Sequence, residues 1–223
     1  TLSDYLSLML NKVQTGIDRA LQLNDGIPPT YLTYQVEAYE ILRSAEGEPL
    51  RDSQQRPYIH ALRFAQKALP IFLEGPVRLF KTLQDRQAAY QLHKRIKHSV
   101  LFDANLKMYK TNASLENQPM EIGRLRAFTP GWLENESIFL HMEYKYLLEL
   151  LKAGLYEEFF EDFRNALVAF QDPARYGRSP LENSSFIVSS AHPDKSMHGA
   201  GFVARLTGAT VEFLSMWNLM MAG

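Results

Sequence analysis

The sequence contains no cysteine in its 223 residues. That absence excludes disulfide bonds, zinc–thiolate sites, iron–sulfur clusters and a cysteine nucleophile. It also fits the reducing cytoplasm, which we take as the expected compartment, although many secreted proteins lack cysteine too. No apolar run approaches the ~20 residues that a membrane-spanning helix needs, so we expect no membrane partner.

Excess charge of either sign is missing as well. Lys and Arg together number 24 and Asp and Glu number 25, which gives a formal net charge of -1. A near-neutral chain offers no electrostatic attraction for nucleic acid, so no nucleic-acid partner is expected. Hydrophobic residues make up 46% of the chain, which is an ordinary globular composition at a length that allows a sizeable core.

Hydrophobic periodicity predicts an all-α fold. Apolar residues recur every three or four positions from Leu2 to Leu21, and the Asn-Asp-Gly turn at 24–26 should end that helix. The period fades after Val100, where a short β-hairpin is expected near 100–125, and no internal repeat of fixed length is found. Helices buried on several sides favour stacked layers such as a helical toroid. Further helices are predicted at 30–42, 59–69, 75–92, 136–152 and 157–170, and from Thr207 onwards.

Polar and aromatic residues gather between Arg124 and His141, just before the most apolar predicted helix. Within this island Trp132 lies close to Glu134 and Glu136. Aromatic faces pack on pyranose rings and carboxylates bind hydroxyl groups, so the pattern is typical of a sugar site. A plain helix N-terminus explains the same residues equally well, because the helix dipole favours acidic side chains there.

A long irregular segment from Gln171 to about Arg205 precedes the last predicted helix. Such a segment inside a domain is usually functional. Thr207 and Gly208 then open the helix, where a hydroxyl and free backbone N–H groups suit an anion. An ordinary N-cap is the alternative interpretation.

Sequence motifs for the common catalytic and nucleotide sites do not occur. The chain has no Walker loop, no Rossmann GxGxxG, no HExxH and no GxSxG. His192 and His198 flank Asp194 in a loop, but no zinc motif accompanies them. We therefore predict no metal site.

Two blocks of the sequence resemble a known family. They are GRLRAFTPGWLENESIFLH (123–141) and HPDKSMHGAGFVARLTGATVEFLSMW (192–217). Both are similar to the C-terminal part of the catalytic domain of the cellobiose/chitobiose phosphorylase family, where the pattern runs roughly PPG-V-K-E-N-G-G-I-F-x-H and later x-S-W-L-T-G-T-A-x-W. The order of the blocks and their approximate spacing match over about 95 residues.

The resemblance implies an (α/α)6 toroid, a double ring of helices, of which residues 1–223 would form the C-terminal half. It implies cleavage of a β-glucoside or oligosaccharide by inorganic phosphate, with inversion, to a sugar 1-phosphate. Phosphate would be the co-substrate and no other cofactor is implied. His141, Thr207 and Gly208 would bind phosphate. The family's general acid would precede Thr1, so we expect an incomplete fragment whose apolar faces are covered by the missing half or by a homo-oligomer.

The resemblance also assigns a sugar side. Glu134 would correspond to a glucose-binding glutamate, with Trp132 and Glu136 beside it. Several positions depart from the family: Leu133 replaces a lysine, Glu136 and Ser137 replace two glycines, and the family's phosphate-binding glutamine has no clear counterpart. These departures keep open an inverting glycoside hydrolase, a sugar-binding module without catalysis, or a helical interaction domain.

Overall fold

The computed structural model describes residues 1–204 and 207–222, with the side chains of Ala204 and Thr207 left aside. The chain divides into two units, Thr1–Thr30 with Pro70–Gly223, and Tyr31–Leu69. The described residues form eight α-helices and three small antiparallel sheets, 44% helix and 19% strand. The fold is mixed, so the prediction of an all-α chain, and of part of an (α/α)6 toroid, is wrong.

Helix α1 spans Leu2–Gln22 and is bounded by local chemistry at both ends. The Thr1 hydroxyl oxygen accepts the Asp4 backbone N–H at 3.3 Å, one half of a capping box. At the other end the Gly26 N–H donates to the Leu21 carbonyl oxygen at 2.9 Å, and Gly26 has a left-handed φ of 84°. The helix stop predicted at 24–26 is confirmed, because a left-handed glycine closes the last turn.

Residues 31–69 form a long β-hairpin, β1 (Leu32–Ile41) paired antiparallel with β2 (Ile59–Ala68). The helices predicted at 30–42 and 59–69 are therefore wrong. Leu32 and Val36 share one face of β1, but the register shifts between Val36 and Tyr39. This bulge changes the parity of the alternation, so that apolar residues fall at steps of three and four and imitate a helical stripe.

The tip of this hairpin contains a short tandem repeat that the sequence search missed. Residues 42–49 and 50–57 read LRSAEGEP and LRDSQQRP. In each copy the arginine guanidinium donates to the carbonyl oxygen four residues on, at 2.8 and 2.6 Å. Three backbone hydrogen bonds of 2.9 Å join the copies in a closed ring. The N–H of Leu42 donates to the carbonyl oxygen of Tyr58, the N–H of Tyr58 donates to that of Leu50, and the N–H of Leu50 donates to that of Leu42.

The larger unit continues with short strands and helices. The pair β3–β4 lies inside the segment 100–125, where a hairpin was expected, and β6 and β7 lie inside the segment predicted to be irregular. In chain order the elements are α2 (Glu74–Phe80), α3 (Arg86–Lys97), β3 (Phe102–Asp103), β4 (Met108–Tyr109), α4 (Arg124–Ala127), β5 (Ile138–Phe139), α5 (Leu140–Lys152), α6 (Tyr156–Ala166), α7 (Pro173–Tyr176), β6 (Ser184–Ile187), β7 (Gly201–Ala204) and α8 (Thr207–Ala222).

Helix α5 lies at the centre of this unit and packs against α2, α6 and α8. Its apolar side chains are buried nearly all round, as its composition predicts. Directly before it, β5 pairs with β6, and β6 pairs with β7. Strand β5 and the start of α5 thus lie at the end of the block 123–141, and β7 and the first part of α8 lie in the block 192–217. Fully buried side chains of α5 are Leu140, Tyr146, Leu147 and Leu150.

A chain of polar side chains crosses the core of the larger unit. The His93 Nδ1 and the Tyr146 hydroxyl share a hydrogen bond of 2.8 Å, and the Tyr109 hydroxyl donates to Asp162 Oδ2 at 2.7 Å. Lys97 donates to the second oxygen of Asp162 at 3.2 Å. Burial lowers the pKa of His93 to about 4 and raises the pKa of Asp162. The imidazole is therefore neutral at pH 7.

Large apolar side chains remain exposed on α1 and α8. Within the described residues, no helix combines the length and the apolarity that crossing a membrane requires. Single exposed apolar residues are normal on a protein surface. A stripe of them along one helix can be buried only against another surface. The stripe on α1 includes Leu2, Tyr5, Leu6, Leu10 and Val13, and the one on α8 includes Val211, Leu214 and Trp217.

Candidate functional site

The loop from Gly131 to Ser137 carries the three predicted sugar-binding residues. Its backbone takes left-handed φ angles at Gly131 (78°), Leu133 (51°) and Glu136 (56°). Residues other than glycine rarely adopt this backbone conformation. Leu133 and Glu136 both do so in one short loop, which indicates that the surroundings hold the backbone in place. The Gly131 N–H donates to the Asn135 carbonyl oxygen at 2.8 Å and closes the turn.

Trp132 lies at the edge of this loop and is half-buried. Its ring stacks face to face on Phe202 of β7, with centroids 3.9 Å apart and planes 3° from parallel. His192 approaches it at 6.1 Å between ring centroids. One face of the indole is therefore taken by protein, and a pyranose ring could pack only on the opposite face.

The two glutamates of the loop stand in different surroundings. Glu134 pairs with Arg124 at 3.3 Å and keeps 31% of its side chain exposed. Glu136 is buried, receives the Lys110 ammonium at 3.1 Å, and its backbone N–H donates to Asn112 Oδ1 at 3.0 Å. Glu134 is thus accessible to a ligand, whereas Glu136 holds the loop in shape.

An aromatic row runs from this loop across the three-stranded sheet. Phe139, Phe186 and Phe202 are register neighbours on β5, β6 and β7. Their centroids are 4.7 and 5.4 Å apart in near-parallel stacks, and Trp132 extends the row at one end. At the other end Phe139 meets His141 edge-on at 5.7 Å. The predicted sugar loop and the predicted phosphate histidine are thus the two ends of one row of rings.

His141 is the second residue of α5 and packs on the first turn of α8. A Cβ built on Gly208 would stand 2.5 Å from His141 Nδ1 and 2.7 Å from Cε1 and Cγ. The φ of Gly208 is not left-handed, so it is the imidazole and not the backbone that excludes a side chain here. The structure therefore brings together His141 and Gly208, two of the three predicted phosphate residues.

Thr207, the third predicted phosphate residue, begins α8, but its side chain lies outside the described residues. Arg205 and Leu206 before it lie outside them as well. The first turn of this 16-residue helix presents backbone N–H groups without an intrahelical partner, which suit an anion.

Glu212 is a site residue that the sequence interpretation missed. Its Oε1 stands 3.6 Å from His141 Nε2, and its side chain is 15% exposed. Glu212 follows Gly208 by four residues on α8, so both face the same neighbour. That spacing was the available signal, since a residue one turn beyond a helix-opening glycine shares its face.

The protonation of His141 follows from these neighbours. Burial, and then the positive charge of Lys145 one turn along α5, lower its pKa, while the Glu212 carboxylate opposes the shift. The imidazole is accordingly mainly neutral at pH 7, a form that carries one N–H.

The two histidines of the 192–198 loop are engaged with the backbone. The Asp194 N–H donates to His192 Nδ1 at 3.1 Å, and His198 Nε2 bonds to the His192 carbonyl oxygen at 2.8 Å. Across the described ranges, no group of three or more His, Asp or Glu side chains is placed to hold a metal ion.

Comparison with family models and with curated sequences finds no relative. No model of a known protein family matches this chain, and no curated protein matches its sequence. The resemblance carried by residues 123–141 and 192–217 therefore stays a prediction.

Proposed function

We propose that the chain forms the phosphate side and part of the sugar side of a glycoside phosphorylase site, which cleaves a β-glucoside with inorganic phosphate and inverts the anomeric carbon. The observation that carries the proposal is the packing of His141 on Gly208 at the start of α8. It places a hydrogen-bond donor beside the first-turn backbone N–H groups of α8, a combination that suits an oxyanion. The cysteine-free composition fits a cytoplasmic location for this enzyme.

The chemistry explains why such a site can dispense with a base. An inverting hydrolase needs one carboxyl group as acid and a second as base for water. In phosphorolysis the phosphate oxygen is itself the nucleophile and attacks the anomeric carbon, while an acid protonates the departing glycosidic oxygen. The His141 N–H and the first-turn amides of α8 would hold and orient that phosphate.

On the sugar side, Trp132 and Glu134 have the suitable exposure. The face of the indole that Phe202 does not cover could offer an apolar surface to a pyranose ring, and the Glu134 carboxylate can accept hydrogen bonds from its hydroxyl groups. The aromatic row crosses the sheet from Trp132, beside β7, to His141, beside β5, so a sugar ring on Trp132 would be a unit of an oligosaccharide at a distance from the bond that phosphate attacks.

Direct binding tests the proposal. Phosphate is titrated into the 223-residue chain while the imidazole signals of its histidines are followed by NMR. We expect the His141 signal to move saturably and the affinity to fall at least about fivefold in His141→Gln, the loss of one charge-assisted hydrogen bond. His60→Gln, an exposed histidine on β2, is the matched control and should bind phosphate unchanged. A His141 signal indifferent to phosphate refutes the proposal.

A second candidate function is an inverting glycoside hydrolase, and the observation that favours it is Glu212. A half-buried carboxylate beside the candidate nucleophile position could serve as the base that activates water. Product analysis of the full-length protein separates the two reactions. Glucose 1-phosphate formed from cellobiose only when phosphate is present indicates phosphorolysis, and free glucose formed without phosphate indicates hydrolysis. Sugar binding without either product indicates a module without catalysis.

A further inference from the structure

The pair of His141 and Glu212 bears on which oxyanion the site accepts, an inference that rests on the proposed function. An ionised carboxylate can only accept hydrogen bonds, so it repels an oxyanion that carries no proton and binds one that does. Phosphate keeps at least one proton at neutral pH, whereas sulfate keeps none. We propose that Glu212 is a specificity-determining residue, which makes this site bind protonated phosphate and reject sulfate.

The position of Glu212 supports this role. Its Oε1 lies 3.6 Å from His141 Nε2, so an anion that accepts the imidazole N–H must also meet the carboxylate. The imidazole cannot move towards α8, because it already fills the space beside Gly208 that a Cβ would occupy. Glu212 is itself only 15% exposed, which limits its escape into solvent.

The balance of donors and acceptors fits a protonated anion. The neutral imidazole has one N–H, the Glu212 carboxylate offers only acceptors, and Lys145 on α5 is a cation that acts on the imidazole. A phosphate with one proton can donate to Glu212 while its other oxygens accept from His141 and from backbone N–H groups. Sulfate can satisfy the donors but leaves the carboxylate facing a like charge.

The experiment compares three probes on the 223-residue chain at pH 7 and constant ionic strength. Phosphate, arsenate and sulfate are titrated separately by calorimetry, with the His141 NMR signal as a second readout. Arsenate is protonated like phosphate and should bind similarly. We expect sulfate to bind about tenfold more weakly than phosphate, which corresponds to ~1.4 kcal/mol.

Variants identify the residue responsible. In Glu212→Gln the side-chain amide can donate as well as accept, so the ratio of phosphate to sulfate affinity should fall to about one. Glu157→Gln, an exposed glutamate in the first turn of α6, is the matched control and should keep the tenfold ratio. Circular dichroism establishes that both variants keep the wild-type helix content.

The outcomes separate this inference from the function on which it rests. Phosphate preferred in the wild type and no preference in Glu212→Gln support it. Equal binding of phosphate and sulfate by the wild type, or a preference that survives in Glu212→Gln, overturns the role of Glu212 and leaves the phosphate site standing. Binding of none of the three anions overturns the proposed function, and the inference with it.

Discussion

Replacing Gly208 by alanine tests the contact on which the site depends. The new Cβ would stand 2.5 Å from His141 Nδ1 and 2.7 Å from two ring carbons. Ordinary contacts between such atoms are near ~3.5 Å, so the imidazole would have to move by roughly 1 Å. His141 also meets Phe139 edge-on at 5.7 Å, a contact that restricts its movement.

The magnitude follows from two opposing effects. Overpacking of a tight contact costs about 1–3 kcal/mol, while replacing glycine by alanine in a helix returns at most ~0.5–1 kcal/mol. We therefore expect Gly208→Ala to lower the free energy of unfolding by about 1–2 kcal/mol. It should also weaken phosphate binding, because the displaced imidazole no longer lies beside the first turn of α8.

Gly16→Ala is the matched control for this substitution. Gly16 lies in the middle of α1, and a Cβ there would meet nothing within 4 Å. Only the helix propensity changes, so this variant should be more stable than the wild type by about 0.5–1 kcal/mol. Urea unfolding followed by circular dichroism measures both variants, and the His141 NMR signal should shift in Gly208→Ala alone.

The two variants must therefore change stability in opposite directions. If Gly208→Ala proves as stabilising as Gly16→Ala, and the His141 signal stays in place, the imidazole does not pack on α8. The candidate phosphate site would then lose its geometric basis, whatever the chain binds elsewhere.

Three further predictions concern the core. The pKa of His93 is lowered to about 4 from 6.5, so the unfolded chain binds more protons between those values. The free energy of unfolding should then fall by up to about 3 kcal/mol as the pH is lowered from 6.5 to 4, and His93→Gln should flatten that dependence in urea titrations. Tyr109→Phe removes the hydroxyl that donates to the buried carboxylate of Asp162 and should cost about 1–3 kcal/mol, whereas Tyr156→Phe, exposed on α6, should be neutral in the same assay. In Gly201→Ala the new Cβ would clash with the ring of Tyr176, so this variant should have a lower thermal midpoint of unfolding. An unchanged midpoint would contradict the packing of Tyr176 on Gly201.

Helices α5 and α6 could be predicted from the sequence because their apolar residues recur over more than ten positions, whereas the single helix predicted at 75–92 is two helices, α2 and α3. Helix α5 is apolar on most sides and is buried on most sides. The strands could not, for two physical reasons. In β1 the bulge after Val36 turned a two-residue period into an apparent helical one. The sheet of β5, β6 and β7 consists of strands of two to four residues, too short to show any period.

Of the candidate site, too, the sequence could predict only a part. The closeness of His141 and Gly208 was expected from the resemblance, and the structure places them in contact. The role of Glu136 depends on its environment, and the sequence gives no sign that Lys110, 26 residues earlier, pairs with it in the interior. Glu212 was missed because the sequence shows only that it lies one helical turn after Gly208. That His141 faces both residues follows from the position of α5, which the sequence does not give.

The tip of the β1–β2 hairpin allows its length to vary in whole modules. The three backbone bonds among Leu42, Leu50 and Tyr58 each run one way around a closed cycle, and every module begins where the previous one ends. Removing residues 50–57 would leave Leu42 and Tyr58 to exchange both bonds with each other, as opposed residues of an ordinary antiparallel ladder do. The flanking strands would keep their alignment, so we expect that this loop can gain or lose eight residues at a time without a change in the register of β1 and β2.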